Sequence, residues 1–240
     1  MTRLLAGLVL AVAIAATANA DINVGEPATI ARWNFDVLLN ERKIGTHRFE
    51  LIDGGNVRHL RTDASFDVKV LFFNAYRYRH NSVEKWENGC LASIQSETDR
   101  NGDELSIRGE SDAESFLIDG KTGERAIDRS CVMSFAYWNP EILDQDALLN
   151  SQTGDFQDID VRFAGEEEIE AGGQTFAADR FEIDTGQGVI KVWYQQDNDR
   201  WLALEAPAKG KRTIRYQLTS VPTLADSRTD WPTGGVRNDI

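Results

Sequence analysis

LRTDASFDVKVLFF, residues 60–73, followed by NAYRYRHNSVEKW, residues 74–86, carries two long period-2 patterns. In the first run Leu60, Thr62, Ala64, Phe66, Val68, Val70 and Phe72 fall on one side. In the second, Tyr76, Tyr78, His80, Ser82, Glu84 and Trp86 share a side. Successive side chains of a strand point to opposite faces, so each set lines one face of an extended segment. The second face is too polar for an ordinary core and too aromatic for an ordinary solvent face. Its composition fits a cavity wall, which makes Tyr76, Tyr78, His80, Glu84 and Trp86 candidate ligand-binding residues.

The same alternation continues on both sides. Ala31, Trp33, Phe35, Val37 and Leu39 alternate with polar neighbours, and His47, Phe49 and Leu51 share a face of the next run. Turn chemistry separates the runs at Asp53-Gly54-Gly55-Asn56, Asn88-Gly89, Asn101-Gly102, Gly172-Gly173 and Gly186-Gln187-Gly188. Gly165 inside a strand pattern marks a bulge or bend. Twelve or so strands joined by short turns predict an all-β fold. The expected form is a curved antiparallel meander forming a half-barrel or barrel, since so many strands must cover their edges or curl.

The pattern breaks once, between Ser134 and Asn150. Asn139 followed by Pro140 is a helix-start signal, and the residues after it predict one or two short helices around residues 140–150. Trp138, just before them, is a further candidate ligand-binding residue: with Tyr137 it could cap one mouth of a barrel, and aromatic packing in a core explains the pair nearly as well. The domain reading is a signal peptide over 1–20, a single β-domain over 21–221 and a loosely ordered tail over 222–240.

The first segment has Arg3, an apolar stretch from Leu4 to Ala16 and Ala18-Asn19-Ala20 before Asp21. This is a secretory pattern, and it predicts a periplasmic or secreted protein of a bacterial envelope after cleavage near Ala20. No later stretch approaches ~20 apolar residues, so no transmembrane segment is expected. Lys and Arg number 26 against 39 Asp and Glu, a net charge of −13. That balance excludes nucleic acid as a partner, because phosphate binding needs clustered positive charge. Cys90 and Cys131 are the only cysteines. An even pair in an exported chain predicts a disulfide, and the spacing is wrong for a redox motif.

No catalytic signature is present: no nucleophile elbow, no zinc-protease helix, no phosphate loop and no dinucleotide fingerprint. His47, His59 and His80 lie on separate strands with no metal-ligand spacing, so no metal and no cofactor are implied. Glu166-Glu167-Glu168 lacks the spaced oxygen ligands of a calcium loop. His80 and Glu84 share a face, but four residues of strand separate their Cα atoms by about 13 Å. They cannot form a catalytic dyad by themselves. Glu84 could instead pair with Arg108 if that strand lies alongside.

Several segments together resemble domain-of-unknown-function family 6134, a set of uncharacterised exported bacterial β-proteins. They are Phe35-Asp36-Val37-Leu38-Leu39, Ile44-Gly45-Thr46-His47-Arg48-Phe49, Tyr76-Arg77-Tyr78-Arg79-His80 with Glu84-Lys85-Trp86, Gly89-Cys90-Leu91 with Thr98 and Asn101-Gly102, and Cys131 with Ser134-Phe135-Ala136-Tyr137-Trp138-Asn139-Pro140. The resemblance covers nearly all of residues 30–220. It implies a secreted, curved antiparallel β architecture and no established activity.

The function expected from these features is binding of an apolar or amphipathic, lipid-like small molecule on a concave β surface. Two alternatives differ in class. One is a hydrolase or isomerase using His80 or His47 with Glu84 and a tyrosine. The other is a structural or protein-partner role. An enclosed apolar cavity with His and Glu at its rim favours binding, convergence of His47, His80 and Glu84 within hydrogen-bond reach favours chemistry, and a flat exposed Tyr78–Trp86 face favours a partner.

Overall fold

The computed structural model describes residues 28–222 except 54–56, 71–72 and 113. The expected signal peptide, the turn residues Gly54, Gly55 and Asn56, and the expected tail beyond Pro222 lie outside the described residues.

The chain forms strands β1 (Ala28–Leu39), β2 (Arg42–Asp53), β3 (Val57–Val70), β4 (Phe73–Glu87), β5 (Cys90–Arg100), β6 (Asp103–Ser111), β7 (Phe116–Gly120) and β8 (Gly123–Ile127). A 3-10 helix, Pro140–Asp144, and the short strands β9 (Ala147–Leu149) and β10 (Phe156–Asp158) follow. The series ends with β11 (Asp160–Ala171), β12 (Gln174–Asp184), β13 (Val189–Gln195), β14 (Trp201–Ala208) and β15 (Arg212–Leu218). Thirteen of these make one antiparallel sheet in the order β11-β12-β13-β14-β15-β1-β2-β3-β4-β5-β6-β7-β8, and β9 pairs with β10 apart from it. The sheet is a half-barrel that does not close. Among the described residues no helix is long and apolar enough to cross a membrane.

Every sheet neighbour but one is also a sequence neighbour. The exception is the seam where β1 pairs with β15, Phe35 opposite Leu218 and Leu39 opposite Ile214. Turn chemistry sets the local register: Asn88-Gly89 and Asn101-Gly102 hold positive φ at both residues, as a two-residue hairpin whose twist matches its strands requires. Gly165 sits at a register shift between β11 and β12, where the sequence marks a bulge. Gly45 has a different reason. A Cβ there would stand 1.9 Å from the Ser65 carbonyl oxygen, so only glycine lets β2 approach β3 at this point.

The sheet order dictates what fills the interior. β8 and β11 are the two sheet edges, and residues 128–159 must connect them. This connection crosses the inner face, and it supplies Val132, Met133, Trp138, Ile142, Leu148 and Leu149 to the same buried cluster as Trp33, Leu51, Leu60, Trp86, Ile107 and Trp201 from the sheet. Asn139 caps the 3-10 helix through its side chain on Glu141 N, with Pro140 at the first position. The predicted helical piece is thus one short turn. The crossing segment is tied down at several points: Leu91 N donates to Val132 O at 2.9 Å, Lys121 N to Thr153 O at 3.0 Å, and Ser96 Oγ to Ser151 O at 2.5 Å. The Cys90–Cys131 disulfide anchors its start to β5.

Candidate functional site

Tyr76, Tyr78, His80, Ser82, Glu84 and Trp86 do share one face of β4, and that face is the inner one. Their burial is graded: Tyr76 is half-buried, Tyr78, His80 and Ser82 are buried, and Glu84 is only 3% exposed. An amphipathic strand facing solvent does not describe it. Four of the predicted residues, Tyr76, Tyr78, His80 and Glu84, line an interior cavity of about 940 Å³ together with Phe49, Phe66, Tyr137 and Tyr216. Trp86 and Trp138 do not line it. They pack edge to face, ring centroids 5.5 Å apart, in the closed core beyond the end of the cavity.

Strand register brings the polar groups of the wall together in rows. His47 pairs with Ala64, and Ala64 pairs with His80, so the two imidazoles stand on either side of a single methyl group. Two strand spacings put their Cα atoms about 10 Å apart. One row nearer the β3–β4 turn, Gly45, Phe66, Tyr78 and Arg100 are in line, and Phe66 stacks on Tyr78 at 5.0 Å with the rings 12° from parallel.

His47, His80 and Glu84 each have a separate partner. His47 Nδ1 meets Tyr216 Oη at 3.1 Å, across the β1–β15 seam. His80 Nδ1 meets Thr98 Oγ1 at 2.9 Å on the next strand. Trp86 Nε1 and Ser134 Oγ both donate to Glu84 Oε2, each at 3.0 Å. Glu84 pairs in register with Ile94 of β5, and Arg108, one strand further and beside Gly109, points to the outer face. A Glu84–Arg108 ion pair, open from the sequence, is therefore not formed. His59 points away from the cavity on the outer face of β3, opposite Lys85. His47, His80 and Glu84 are not hydrogen-bonded to one another. His47 Nε2, shielded from solvent, has no hydrogen-bond partner.

Burial controls the charge state of this wall. It holds the His47 imidazole well below its ordinary pKa, with the nearby His80 adding to the effect. It lowers His80 to about 4, reinforced by the Arg100 guanidinium. Burial also pushes the phenols of Tyr78, Tyr137 and Tyr216 upward. Glu84 is raised to about 7, again by burial, against the opposing hydrogen bonds from Ser134 and Trp86. At neutral pH both imidazoles and all three phenols are uncharged. The interior can therefore exchange hydrogen bonds with an uncharged group, but it offers no deep cation. Among the described residues no cluster of three or more His, Cys, Asp or Glu is arranged to hold a metal ion.

Tyr137, which the sequence places with Trp138 at a barrel mouth, does line the cavity; Tyr216, Phe66 and Arg100 line it too, and the sequence does not mark them as ligand contacts. Tyr216 had a legible signal, since Ile214, Tyr216 and Leu218 alternate with Arg215 and Gln217. That alternation gives its face but not its neighbour. Arg100 carries no such signal, because it closes β5 beside a turn.

The chain belongs to the family described as Domain of unknown function (DUF6134), which it matches over residues 35–219. Among solved structures it is similar to a beta-barrel-like protein of Domain of Unknown Function DUF1849 from Brucella abortus. The two share 9% sequence identity with a TM-score of 0.59, over 83% of this chain and 99% of that one. At that identity the likeness concerns the fold alone. No curated protein matches the chain.

Proposed function

We propose that this member of the DUF6134 family binds an apolar or amphipathic, lipid-like small molecule inside its half-barrel, without catalysing a reaction on it. The observation that carries the reading is the cavity: about 940 Å³, toward the upper end of the range of roughly 300–1,000 Å³ usual for small-molecule sites. Aliphatic and aromatic side chains from Phe49, Phe66, Tyr78, Leu204 and Ile214 share its lining with polar groups, of which His47, His80 and Glu84 are held by hydrogen bonds, a mixture suited to an amphipathic ligand. Tyr76, Tyr78, His80 and Glu84 are the proposed contacts on β4. Trp86 and Trp138 act behind them as support for the closed end.

The separation of the ionisable groups speaks against the enzyme alternative. A general base must reach the proton it abstracts, and a catalytic pair must reach each other or a common atom. His47, His80 and Glu84 instead spend their hydrogen bonds on Tyr216, Thr98 and the Ser134–Trp86 pair. A flat partner-binding face is disfavoured by the burial of the same residues.

The reading includes export to the periplasm or beyond, with cleavage near Ala20. The secretory pattern of residues 1–20 supports it, and the Cys90–Cys131 disulfide is compatible with an oxidising compartment. The direct test is native mass spectrometry of protein purified from an envelope fraction, before and after organic extraction. A bound mass that extraction removes is the expected result. Protein that is ligand-free across several gentle preparations would overturn the proposal.

A further inference from the structure

The charges that line the cavity are unevenly placed. Among the described lining residues the formally charged ones are Glu84, Arg100, Lys209 and Arg212. Glu84 is buried at the closed end, eight residues along β4 from Tyr76, a run of roughly 26 Å in an extended strand. Arg100, Lys209 and Arg212 are exposed, and they sit at the other end, beside the β5–β6 and β14–β15 turns. The mouth is thus cationic in a chain whose net charge is −13. Between mouth and floor the wall is Phe49, Phe66, Tyr78, Leu204 and Ile214 with two uncharged imidazoles.

We propose that the occupant is an amphiphile with an anionic head group, carboxylate or phosphate, seated tail-inward with its head at Arg100, Lys209 and Arg212. This rests on the binding function proposed above and adds the charge and direction of the ligand. Three features fix the direction. An anion placed deep would meet the only carboxylate of the lining and no cation, and would lose its hydration in an apolar channel. A cationic head at the mouth would face three like charges. An anion at the mouth keeps part of its hydration and gains the fork of a guanidinium, which suits the oxygens of carboxylate and phosphate. Arg100 is held in place for this by its bond from Nη2 to Gln152 Oε1, 2.7 Å, on the crossing segment. Arg212 is held by Nε on the Lys209 carbonyl at 2.8 Å.

The test is displacement of an uncharged fluorophore, N-phenylnaphthylamine, from the full mature protein by four amphiphiles of equal chain length, each below its micellar concentration. They are dodecanoate, dodecyl phosphate, dodecanol and dodecylamine. Both anions should displace at concentrations roughly tenfold or more below that of dodecylamine, with dodecanol between. Arg100→Gln and the double variant Lys209→Gln/Arg212→Gln should each erase most of the advantage of the anions over dodecanol. Both should move dodecanol displacement far less than that of the anions, and thermal melts followed by circular dichroism report that they fold. The ratio of dodecanoate to dodecyl phosphate names the head within the proposed class. Equal displacement by acid, alcohol and amine, or variants that weaken all four alike, would overturn the head-group assignment while leaving a binding cavity. A fluorophore that never binds, with no amphiphile bound in native mass spectra, would overturn both.

Discussion

Ser134 of the crossing segment donates its hydroxyl to Glu84 Oε2 on the wall strand, 3.0 Å away, in surroundings closed to solvent. One buried carboxyl therefore links the piece of chain that fills the half-barrel to the sheet that encloses it. The link is sensitive to protonation. Burial raises the folded-state pKa of Glu84 from 4.5 to about 7, so between those values the unfolded chain is ionised while the folded one keeps its proton. Folding stability contributed here is full below the unfolded value and is lost as pH rises through the folded one, by about 3 kcal/mol. Glu84→Gln should be more stable than the parent at about pH 8 and similar to it near pH 4. Urea melts at a series of pH values measure this, and parallel curves for the two proteins would refute it.

The histidines act in the opposite direction. His80 is lowered to about 4 in the fold, so between that value and its ordinary 6.5 the unfolded state binds the extra proton. Stability from this group is present above about pH 6.5 and is lost as pH falls toward 4. His47 follows the same sign. With two such histidines set against one glutamate, these three groups together should make the parent gain stability as pH rises toward 6.5 and lose some just above it, where of the three only Glu84 still titrates. His80→Gln should remove part of the acid-side loss, and a variant as acid-sensitive as the parent would count against the assignment.

Gly45→Ala is expected to cost about 2–3 kcal/mol or prevent folding, through overlap of two backbones rather than a displaced side chain. The added carbon would fall 1.9 Å from the Ser65 carbonyl oxygen, and neither strand can step aside without breaking the pairing on its other side. A variant melting within a degree or so of the parent would show that β2 and β3 can part here at little cost.

The Cys90–Cys131 bridge closes a loop with a sequence separation of 41. In the chain-entropy account it contributes roughly 3–4 kcal/mol. Cys90→Ser/Cys131→Ser should melt lower than the oxidised parent by that amount, and a reductant should bring the parent down to the variant without affecting the variant. Equal melting of the two under oxidising conditions would be the contrary result.

Tyr78→Ala and Trp86→Ala separate wall from support. Tyr78 lines the cavity, whereas Trp86 is packed in the core against Trp138. The first should release bound amphiphile with the fold retained. The second should cost about 3–5 kcal/mol through the void it leaves. Thermal melts and ligand retention, measured on both, read the two effects apart.

Much of this architecture is legible in the sequence, because period-2 alternation and Asn-Gly turns are local signals. That Tyr76, Tyr78, His80, Ser82, Glu84 and Trp86 share one face of β4 follows from their spacing. An exposed amphipathic strand would read the same, and it is the fold that turns this face inward. What lies over that face does not follow from spacing either. His47 meets Tyr216 across a separation of 169 residues, and that contact exists because β15 returns to β1, a pairing no local pattern announces. The division of one strand face into cavity wall at Tyr78 and closed core at Trp86 is equally non-local, since the crossing segment covers one end and not the other. Residues 134–150 are visible as a break in the β pattern, and Asn139-Pro140 as a helix start. Their path from one sheet edge to the other follows only from the strand order.

That strand order also fixes when the fold can be completed. Among the described strands β1 is made first and must wait for β15, made last, before its second edge is covered. A chain cut short of Arg212 would keep most of its hairpins but leave β1 and β14 as bare, hydrophobic edges facing each other across a gap. Such edges are templates for pairing with other chains. Truncation near the C-terminus is thus expected to give aggregates rather than a smaller working protein, and the closing seam makes the last seven-residue strand a checkpoint for the whole molecule.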